Sequence, residues 1–406
     1  MRCGRRWVMG LRGGLALAIV IAASSGSLAL TPVTLSAPPD GDAVRAMWFY
    51  TTTTLFGSAG ASQPVLDFCA REGVNRIYCG GYSIWASGTT TQKNNLAAFL
   101  QAARASGIRV EALLDGTDWQ NNPALVQTRI DQILAFHART PGDPSDDFDA
   151  IHFDIEFWLH SSWTGSESQK QQVARNYLDN VLVNARTHLN ASGATGVDIA
   201  TDLSSHFDTS GMLPSRMLYD GVNQYFLEHV LDHADDVVLM SYYDTATAIV
   251  SVSGPELDMA AGKSRRIQLG ADIQPVPPEL PVNSFADNAP TAYSAMTTTL
   301  ESFHEQLSAQ RLGALDGFSV FHYERYSASA PNPRNIADWD GDGDADATDY
   351  QSFRKYLLGP TAPATGLASD GDFNGDARVD LADFAWLAHC FTGSGVTGPI
   401  PGDCER

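Results

Sequence analysis

The feature that most constrains the fold is an eightfold alternation of short apolar segments with longer amphipathic ones across residues 43–328. Short apolar runs are typical of buried strands, and apolar residues at helical spacing are typical of helices that cover a sheet. Eight such units predict an α/β protein with a (β/α)8 (TIM) barrel, and the alternative is a doubly wound open sheet. The predicted strands are Arg45–Tyr50, Asn75–Cys79, Arg109–Leu114, Ala150–Phe157, Val197–Thr201, Asp236–Tyr242, Arg266–Ala271 and Gly317–Tyr323.

The connections between these strands are predicted to be helices, because their apolar residues recur at helical spacing. Gly107 and Gly313 follow two of them, where a positive φ is often needed to end a helix. The count of eight units, with polar residues after most strands, favours the closed barrel over the open sheet. The clearest predicted helices are Gln63–Glu72, Leu96–Ser106, Pro123–His137, Gln169–His188 and Thr291–Gln310.

Residues 1–29 have the pattern of a secretory signal peptide. Arginines near the start precede the apolar run Leu15–Ala23, and the small residues Ser27 and Ala29 fit the positions that precede a cleavage site. The run is short for a bilayer span, and an uncleaved anchor is the alternative. We therefore expect a secreted or cell-surface-attached protein, in which the Pro-rich residues 30–42 form a linker.

The formal net charge of −21 makes nucleic acid and anionic membrane surfaces poor partners. Much of the acid lies after residue 337, which indicates a bound cation in that region. Cys390 and Cys404 flank a Gly/Pro-rich tail and can form a disulfide in an oxidising compartment. Cys69 and Cys79 can pair with each other or stay as buried free thiols.

Two segments, 338–349 and 372–383, have the spacing of EF-hand calcium loops. In the first, carboxylates stand at positions 1, 3, 5, 9 and 12, and Gly343 at position 6 permits the sharp turn around the ion. Ca²⁺ takes six to eight oxygen ligands, and a disordered acidic tail would not place them in register twice. The predicted ligands are Asp338, Asp340, Asp342, Asp344 and Asp349 in the first loop and Asp372, Asn374, Asp376, Arg378 and Asp383 in the second.

Each loop runs into an amphipathic helix, Tyr350–Leu358 or Phe384–Phe391, and neither loop has a helix before it. Residues 338–406 therefore resemble a type I dockerin, a family in which Asp at the last loop position is usual. The resemblance implies bound Ca²⁺ and docking to a cohesin-type partner on a scaffold or cell surface. Ala377 replaces the turn glycine of the second loop, and a purely structural or anchoring role is the alternative. Residues 329–337 are predicted to be a linker.

The candidate catalytic residues lie in the predicted fourth strand. One face of this strand is apolar and would pack under the helices. The opposite face points into the barrel and opens at the C-terminal end of the strands, where the active sites of such barrels lie. Burying a histidine and two carboxylates on this face costs free energy unless they pair with other charged groups or have a function. The inward residues are Ala150, His152, Asp154, Glu156 and Trp158.

This strand resembles the Asp-x-x-Asp-x-Asp-x-Glu signature of chitinase-like (family 18) glycoside hydrolases, with matches at Asp149, Asp154 and Glu156. His152 departs from the signature. Segment 240–244, Met-Ser-Tyr-Tyr-Asp, resembles the family's Met-x-Tyr-Asp motif with one residue inserted. The resemblance implies hydrolysis of glycosidic bonds in a polysaccharide, by a barrel that needs no cofactor.

The same resemblance implies that Glu156 is the general acid that protonates the leaving oxygen. It also implies that Asp154 and Tyr242 orient the substrate's own acetamido group, which supplies the nucleophile. We expect Asp154 to raise the pKa of Glu156, because it disfavours a second negative charge. A substrate without an acetamido group needs a second carboxylate, and the candidates that follow strands are Asp115, Asp202 and Asp244.

Aromatic side chains after several strands fit sugar binding, although aromatics in barrels are more often part of the core. Their repeated position after strands favours the functional interpretation. The residues predicted to bind substrate are Trp48, Trp119, Trp158, Asp202, Tyr243 and Tyr323.

Two other functions fit the same barrel. A metal-dependent hydrolase or deacetylase would use the polar residues of the fourth strand as ligands, with His206 or His322 completing the set. Against it, the sequence has no His-x-His or other dense histidine cluster. A barrel of this kind can also survive as an inactive carbohydrate-binding protein, since fold alone does not determine function. The presence of Glu156 disfavours an inactive carbohydrate-binding protein, because binding alone needs no general acid.

Overall fold

The barrel strands of the computed structural model are β1 Val44–Phe49, β2 Arg76–Cys79, β3 Arg109–Gly116, β4 Ala150–Ile155, β5 Asp198–Ser204, β8 Asp236–Met240, β9 Ile267–Asp272 and β10 Leu315–Phe321. They are parallel and close in the order β1-β10-β9-β8-β5-β4-β3-β2, which confirms the (β/α)8 barrel over the open sheet. All eight predicted strands are present. An antiparallel hairpin, β6 Met217–Tyr219 and β7 Val222–Gln224, lies outside the barrel and was not predicted.

The structure describes residues 44–50, 55–140, 143–208, 212–274, 284–288, 292–330, 335, 337–338, 344–357, 359, 371–373, 378–393 and 404. The predicted signal peptide (1–29) and the linker over residues 30–42 lie outside this part of the chain. So do most of the second predicted linker and four of the predicted calcium ligands, Asp340, Asp342, Asn374 and Asp376.

Helices cover the outside of the barrel, and their ends follow from local capping. The predicted helix Leu96–Ser106 begins earlier, because Thr89 and Gln92 form a capping box. The predicted helix Thr291–Gln310 ends early, because the Ser308 side chain accepts a hydrogen bond from a backbone N–H and starts a new helix. A π-helical stretch, Leu178–Val183, interrupts Gln169–His188. The helices are α1 Gln63–Glu72, α2 Tyr82–Ser87, α3 Thr90–Ala105, α4 Pro123–His137, α5 Glu167–Tyr177, α6 Asn184–Ala191, α7 Phe226–His233, α8 Ala246–Gly262, α9 Ala292–Gln306, α10 Ala309–Ala314 and α11 Tyr323–Ser329.

The side chains of β4 alternate between two layers, as the sequence pattern predicts. Ile151, Phe153 and Ile155 are buried in the apolar layer between the strands and the helices. The barrel interior holds a separate apolar cluster, and polar residues that enter this interior must be hydrogen-bonded. The interior cluster consists of Val44, Ala46, Trp48, Tyr78, Leu113 and Val238.

The C-terminal region contains two short helices, α12 Ala347–Phe353 and α13 Leu381–His389. Both begin with a capping box made by two loop aspartates, so the end of each predicted calcium loop is also the start of a helix. A small core of its own holds the region together. This core consists of Ala337, Ala345, Phe353, Tyr356, Val379, Leu387, Cys390 and Cys404.

The four cysteines after residue 29 form one disulfide and leave two free thiols. Cys390 and Cys404 form the disulfide, whereas Cys69 and Cys79 are buried free thiols. Within the described residues, no helix combines the length and the hydropathy needed to cross a membrane.

Gly317, near the start of β10, is a position that the barrel geometry restricts to glycine. Its φ is +146°, and a Cβ there would lie 1.8 Å from the carbonyl oxygen of Val44 on the paired strand β1. We expect Gly317→Ala to lower the free energy of unfolding by at least about 2 kcal/mol, since β1 cannot retreat without losing its pairing. The matched control is Gly313→Ala, where nothing lies within 4 Å and alanine favours the helix. Urea unfolding compares the two, and equal stabilities would contradict this account.

Candidate active site

Asp154 and Glu156 lie at the C-terminal end of β4, where the barrel opens. Both are partly exposed, whereas His152, deeper on the same inner face, is fully buried. In the β3–β4 register Asp115 stands beside Asp154, so two strands bring carboxyl groups to this side of the mouth. The acids predicted from the fourth strand therefore come together at one place.

His152 joins two carboxylates inside the barrel. Its Nδ1 lies 2.8 Å from Glu111 Oε2, and its Nε2 lies 2.8 Å from Asp202 Oδ1. All three side chains are buried. Burial alone would lower the pKa of His152, but the charges and hydrogen bonds of Asp202 and Glu111 raise it to about 10. Near neutral pH His152 is therefore an imidazolium that donates both N–H groups.

Glu111 connects this histidine to two arginines at the N-terminal ends of the strands. Arg109 Nε donates to Glu111 Oε1 at 2.9 Å, and Arg76 Nη1 lies 3.6 Å from the same oxygen. Burial would raise the pKa of Glu111, but the arginines and His152 lower it to about 2. Opposite charges thus alternate along the barrel interior. We name this line, formed by Arg76, Arg109, Glu111, His152 and Asp202, the charge ladder.

Asp202 forms the upper end of the charge ladder, and both of its oxygens are engaged. Oδ1 accepts from His152, and Oδ2 accepts from Trp48 Nε1 at 2.9 Å. Burial and the charge of Asp202 raise the pKa of Glu156. Burial, Asp202 and Glu156 raise the pKa of Asp154 well above its usual range. The sequence predicts a raised pKa for Glu156 but attributes it to Asp154. In the structure the causes are burial and Asp202, and it is the pKa of Asp154 that the charge of Glu156 raises.

Tyr50 holds Asp154 in place from the end of β1. The Tyr50 hydroxyl donates to Asp154 Oδ2 at 3.3 Å. Asp154 Oδ1 is buried and makes no hydrogen bond with any described residue. Because the raised pKa favours the protonated form of Asp154, this carboxyl group is suited to a hydrogen bond with a substrate.

Phe321, at the end of β10, provides apolar surface beside these acids. Its partly exposed ring meets the rings of Trp48, Tyr50 and Tyr242 at centroid distances of 5.7, 5.9 and 6.0 Å. Gly270 makes room for this cluster, since a Cβ there would lie 3.1 Å from the Tyr242 ring and 3.2 Å from Trp48. An aromatic surface with a few polar groups beside it is typical of a small-molecule binding site.

Three of the rings predicted to stack on sugar pack against other side chains. Trp48 and Trp119 are buried, at 1% and 6% exposure. Tyr323 packs edge-on against Phe49 and Phe68, with centroids 5.4 and 5.5 Å away. The burial of Trp48 and Trp119 does not fit the prediction of stacking surfaces, whereas the partly exposed Tyr323 stays a prediction.

The remaining predicted binding residues lie at the rim. Trp158 follows Glu156 and is partly exposed, and its ring packs edge-on against Phe207 at 5.2 Å. Tyr243 is also partly exposed, and its hydroxyl lies 3.1 Å from His206 Nε2. Both stay candidates for contact with substrate. Asp202, by contrast, lies under the mouth as part of the charge ladder.

Sequence reasoning missed three residues of the site: Glu111, Tyr50 and Asp272. Glu111 is a charged residue within the apolar segment Val110–Leu114 of β3, a pattern that indicates a buried partner. Tyr50 and Asp272 stand at or next to strand ends, where the strand boundaries were uncertain. Two of the partners of Glu111, Arg76 and His152, come from the neighbouring strands β2 and β4, so only the folded barrel reveals them.

The alternative metal site in the barrel does not assemble. Both ring nitrogens of His152 are engaged by carboxylates, His206 contacts Tyr243, and His322 bonds Glu324. Within the described chain, one group of at least three His, Cys, Asp or Glu side chains brings its ligand atoms together, and it lies in the C-terminal region. His152 is thus tied into the charge ladder, and Asp154 is held by Tyr50.

That group is Asp344, Asp346 and Asp349 of the first predicted calcium loop, with ligand atoms that all lie within 4.8 Å of one another. Asp338 and Asp349 are buried, although both belong to a strongly acidic loop. In the second loop Asp383 is fully buried at the start of α13, Asp372 is partly buried and Arg378 is exposed. Clustered carboxylate oxygens are the ligands that Ca²⁺ prefers.

Comparison with known families identifies the C-terminal region. Residues 336–392 match the model of the dockerin type I domain, which confirms the resemblance drawn from the duplicated loops. The match covers this region of the chain and not the barrel. No curated protein matches the chain.

The solved structures to which the chain is similar include GH18 chitinases and related glycosidases. A GH18 chitinase from Pseudoalteromonas aurantia is 12% identical, with a TM-score of 0.44 over 76% of this chain and 99% of that chain. A chitinase from Bacteroides thetaiotaomicron is 13% identical, with a TM-score of 0.44 over 69% and 89%. An endo-beta-N-acetylglucosaminidase from Cordyceps militaris is 14% identical, with a TM-score of 0.40 over 70% and 83%.

Replacing His152 should change both stability and its pH dependence. The pKa of His152 is raised from 6.5 to about 10, so its stabilising effect is complete below pH 6.5 and is lost as pH rises through 10. His152→Leu removes the charged partner that the buried carboxylates Glu111 and Asp202 share, and we expect the free energy of unfolding to fall by roughly 3–5 kcal/mol at pH 6. The loss should shrink toward pH 10.

Urea unfolding from pH 6 to pH 10 tests this expectation. The matched control is His188→Gln, which removes a surface pair with Asp131 and should cost less than about 1 kcal/mol at every pH. Parallel stability curves for the wild type and His152→Leu would show that the histidine carries no such charge.

Proposed function

We propose that the barrel is a glycoside hydrolase that cleaves a glycosidic bond at the mouth formed by the C-terminal ends of its strands. The observation that carries the proposal is the pair Asp154 and Glu156, two partly exposed carboxyl groups with raised pKa values on one rigid strand. Glycosidic cleavage needs a carboxylic acid that keeps its proton near neutral pH. The resemblance of β4 to the family 18 signature supports the same chemistry.

Each acid has a distinct role in this proposal. Glu156, which directly follows β4, protonates the leaving oxygen as the bond breaks. Asp154, hydrogen-bonded to Tyr50, uses its protonated form to hold a sugar substituent beside the reacting carbon. Tyr242 flanks the same space and supplies a hydroxyl group, and Phe321 supplies an apolar wall for the ring. Asp244 lies past the end of β8, and a catalytic role for it stays a prediction from the motif.

Glu156→Gln should abolish turnover, because it removes the proton donor and keeps the shape. We expect reducing-end release to fall by roughly 10²–10⁴-fold on the best substrate of a panel of chitin oligomers, peptidoglycan, and plant and algal glycans. Glu167→Gln is the matched control, since an amide oxygen can still accept the Ser215 N–H that Glu167 accepts. Full activity in Glu156→Gln would overturn the assignment, and binding without turnover in the wild type would leave a carbohydrate-binding barrel.

We further propose that the chain is exported and tethered through its dockerin region. The domain order would be a signal peptide over residues 1–29, a linker over 30–42, the barrel over 43–328, a linker over 329–337 and the calcium-binding region over 338–406. A calcium ion in each loop would hold that loop and the helix after it in place. The two loop–helix units would then bind a cohesin-type protein on a scaffold or cell surface. The clustered oxygens of the first loop support the ion site.

Calcium should bind the full chain through the first loop without contributing to catalysis. Calorimetric titration of the EDTA-treated protein should show Ca²⁺ affinity that falls at least tenfold in Asp349→Asn, because this buried carboxylate closes the loop. Asp67→Asn, an exposed change on α1, is the control and should keep the affinity. Glycan turnover should survive EDTA. Unchanged affinity in Asp349→Asn would contradict the assigned site.

A further inference from the structure

Asp272 is an inward carboxyl group on the far side of the mouth from Glu156. On β9, Gln268 accepts a hydrogen bond from Ser319 inside the barrel at 3.2 Å, and alternate residues put Gly270 and Asp272 on the same face. Two strands, β5 and β8, separate β4 from β9 on one side of the closed barrel, and four separate them on the other. Asp272 therefore stands nearly opposite Glu156, across the space that a sugar would occupy.

The contacts of Asp272 fix one oxygen and leave the other for a ligand. The side chain is 7% exposed, and its Oδ1 accepts the Gln274 N–H at 2.7 Å. Its Oδ2 makes no hydrogen bond with the described residues. Phe321 is its register neighbour on β10, so the apolar wall of the site adjoins it. Burial raises the pKa of Asp272 to about 7, which suits a base that works near neutral pH.

The three candidates that the sequence offers for a second catalytic carboxylate do not face Glu156 from across the barrel. Asp202 has both oxygens bonded, to His152 and to Trp48. Asp115 is the register neighbour of Asp154 and stands on the same side of the mouth as the acid. Asp244 lies beyond the end of β8, and its backbone carbonyl accepts from Thr299 on the outer helix α9. Asp272 is the carboxylate that faces the acid from across the barrel.

We propose that Asp272 is the general base of the reaction and acts on a water molecule opposite Glu156. An acid and a base on opposite sides of the sugar, with room for water between them, are the arrangement of inverting glycosidases. The proposal rests on the glycosidase function proposed above and adds its second carboxylate. It also defines the substrate class as glycans whose sugars need no acetamido group.

The step balances with water as the one co-reactant. The ionised Asp272 takes a proton from water as the water oxygen bonds to the anomeric carbon. The bond from that carbon to the glycosidic oxygen breaks, and the leaving oxygen takes the proton of Glu156. Asp272 ends protonated and Glu156 ends ionised, and exchange with solvent restores both. The new hydroxyl group has the configuration opposite to that of the broken bond.

The test uses the full chain with Asp272→Asn, Asp272→Ala, Glu156→Gln and the exposed control Asp118→Asn. Cellohexaose, laminarihexaose, xylohexaose and chitohexaose are the substrates, and proton NMR during cleavage gives the configuration of the first product. We expect inversion, a loss of roughly 10²–10⁴-fold in both Asp272 variants, and normal activity in the control. Sodium azide should restore Asp272→Ala and yield a glycosyl azide of inverted configuration, because azide needs no base.

The outcomes separate this proposal from the one on which it rests. Turnover lost in Glu156→Gln but kept in Asp272→Asn overturns the base and leaves the glycosidase. Retention of configuration, or cleavage confined to chitohexaose, also overturns it, because each indicates a different nucleophile. Loss without azide rescue in Asp272→Ala counts against it as well. Turnover that survives Glu156→Gln overturns the underlying function instead.

Discussion

The charge ladder is the constraint on which the rest of the site depends. His152 bonds Glu111 below and Asp202 above, each at 2.8 Å, and all three groups are shielded from water. A buried ion is tolerable only when its partners are in place, so each member requires the next. The arginines at the N-terminal ends of the strands supply the compensating charge at the lower end. The ladder thereby fixes a negative carboxylate directly beneath the mouth.

The position of Asp202 contributes to the raised pKa values of the mouth acids. Burial raises the pKa values of both Asp154 and Glu156, and the charge of Asp202 adds to the effect. The familiar signature has a carboxylate at the position of His152, which would bring one more negative charge into the interior. Here the imidazolium offsets the acids on both sides of it. Histidine in place of the signature's carboxylate at position 152 therefore puts a positive charge in the interior, while the acid Glu156 at the strand end is kept.

The sequence allowed the barrel to be predicted because strand and helix patterns are local. All eight strands and the inward face of β4 follow from periodicity, and the dockerin region follows from its repeated spacing. The hairpin was missed because its two strands are short and exposed. Trp48 and Tyr323 looked like sugar platforms, but their packing is decided by other strands and helices. Glu111 and Asp272 could not be placed because their significance depends on residues distant in sequence.

Nitrogen-15 NMR of His152 is the most direct test of this account. The charge ladder requires an imidazolium, since both ring nitrogens face carboxylates and the pKa is raised to about 10. At pH 8 we expect both nitrogens of His152 to carry protons and to show imidazolium shifts. A neutral His152 with one bare nitrogen at pH 8 would contradict the ladder. The charge of Asp202, and its effect on the mouth acids, would then need another explanation.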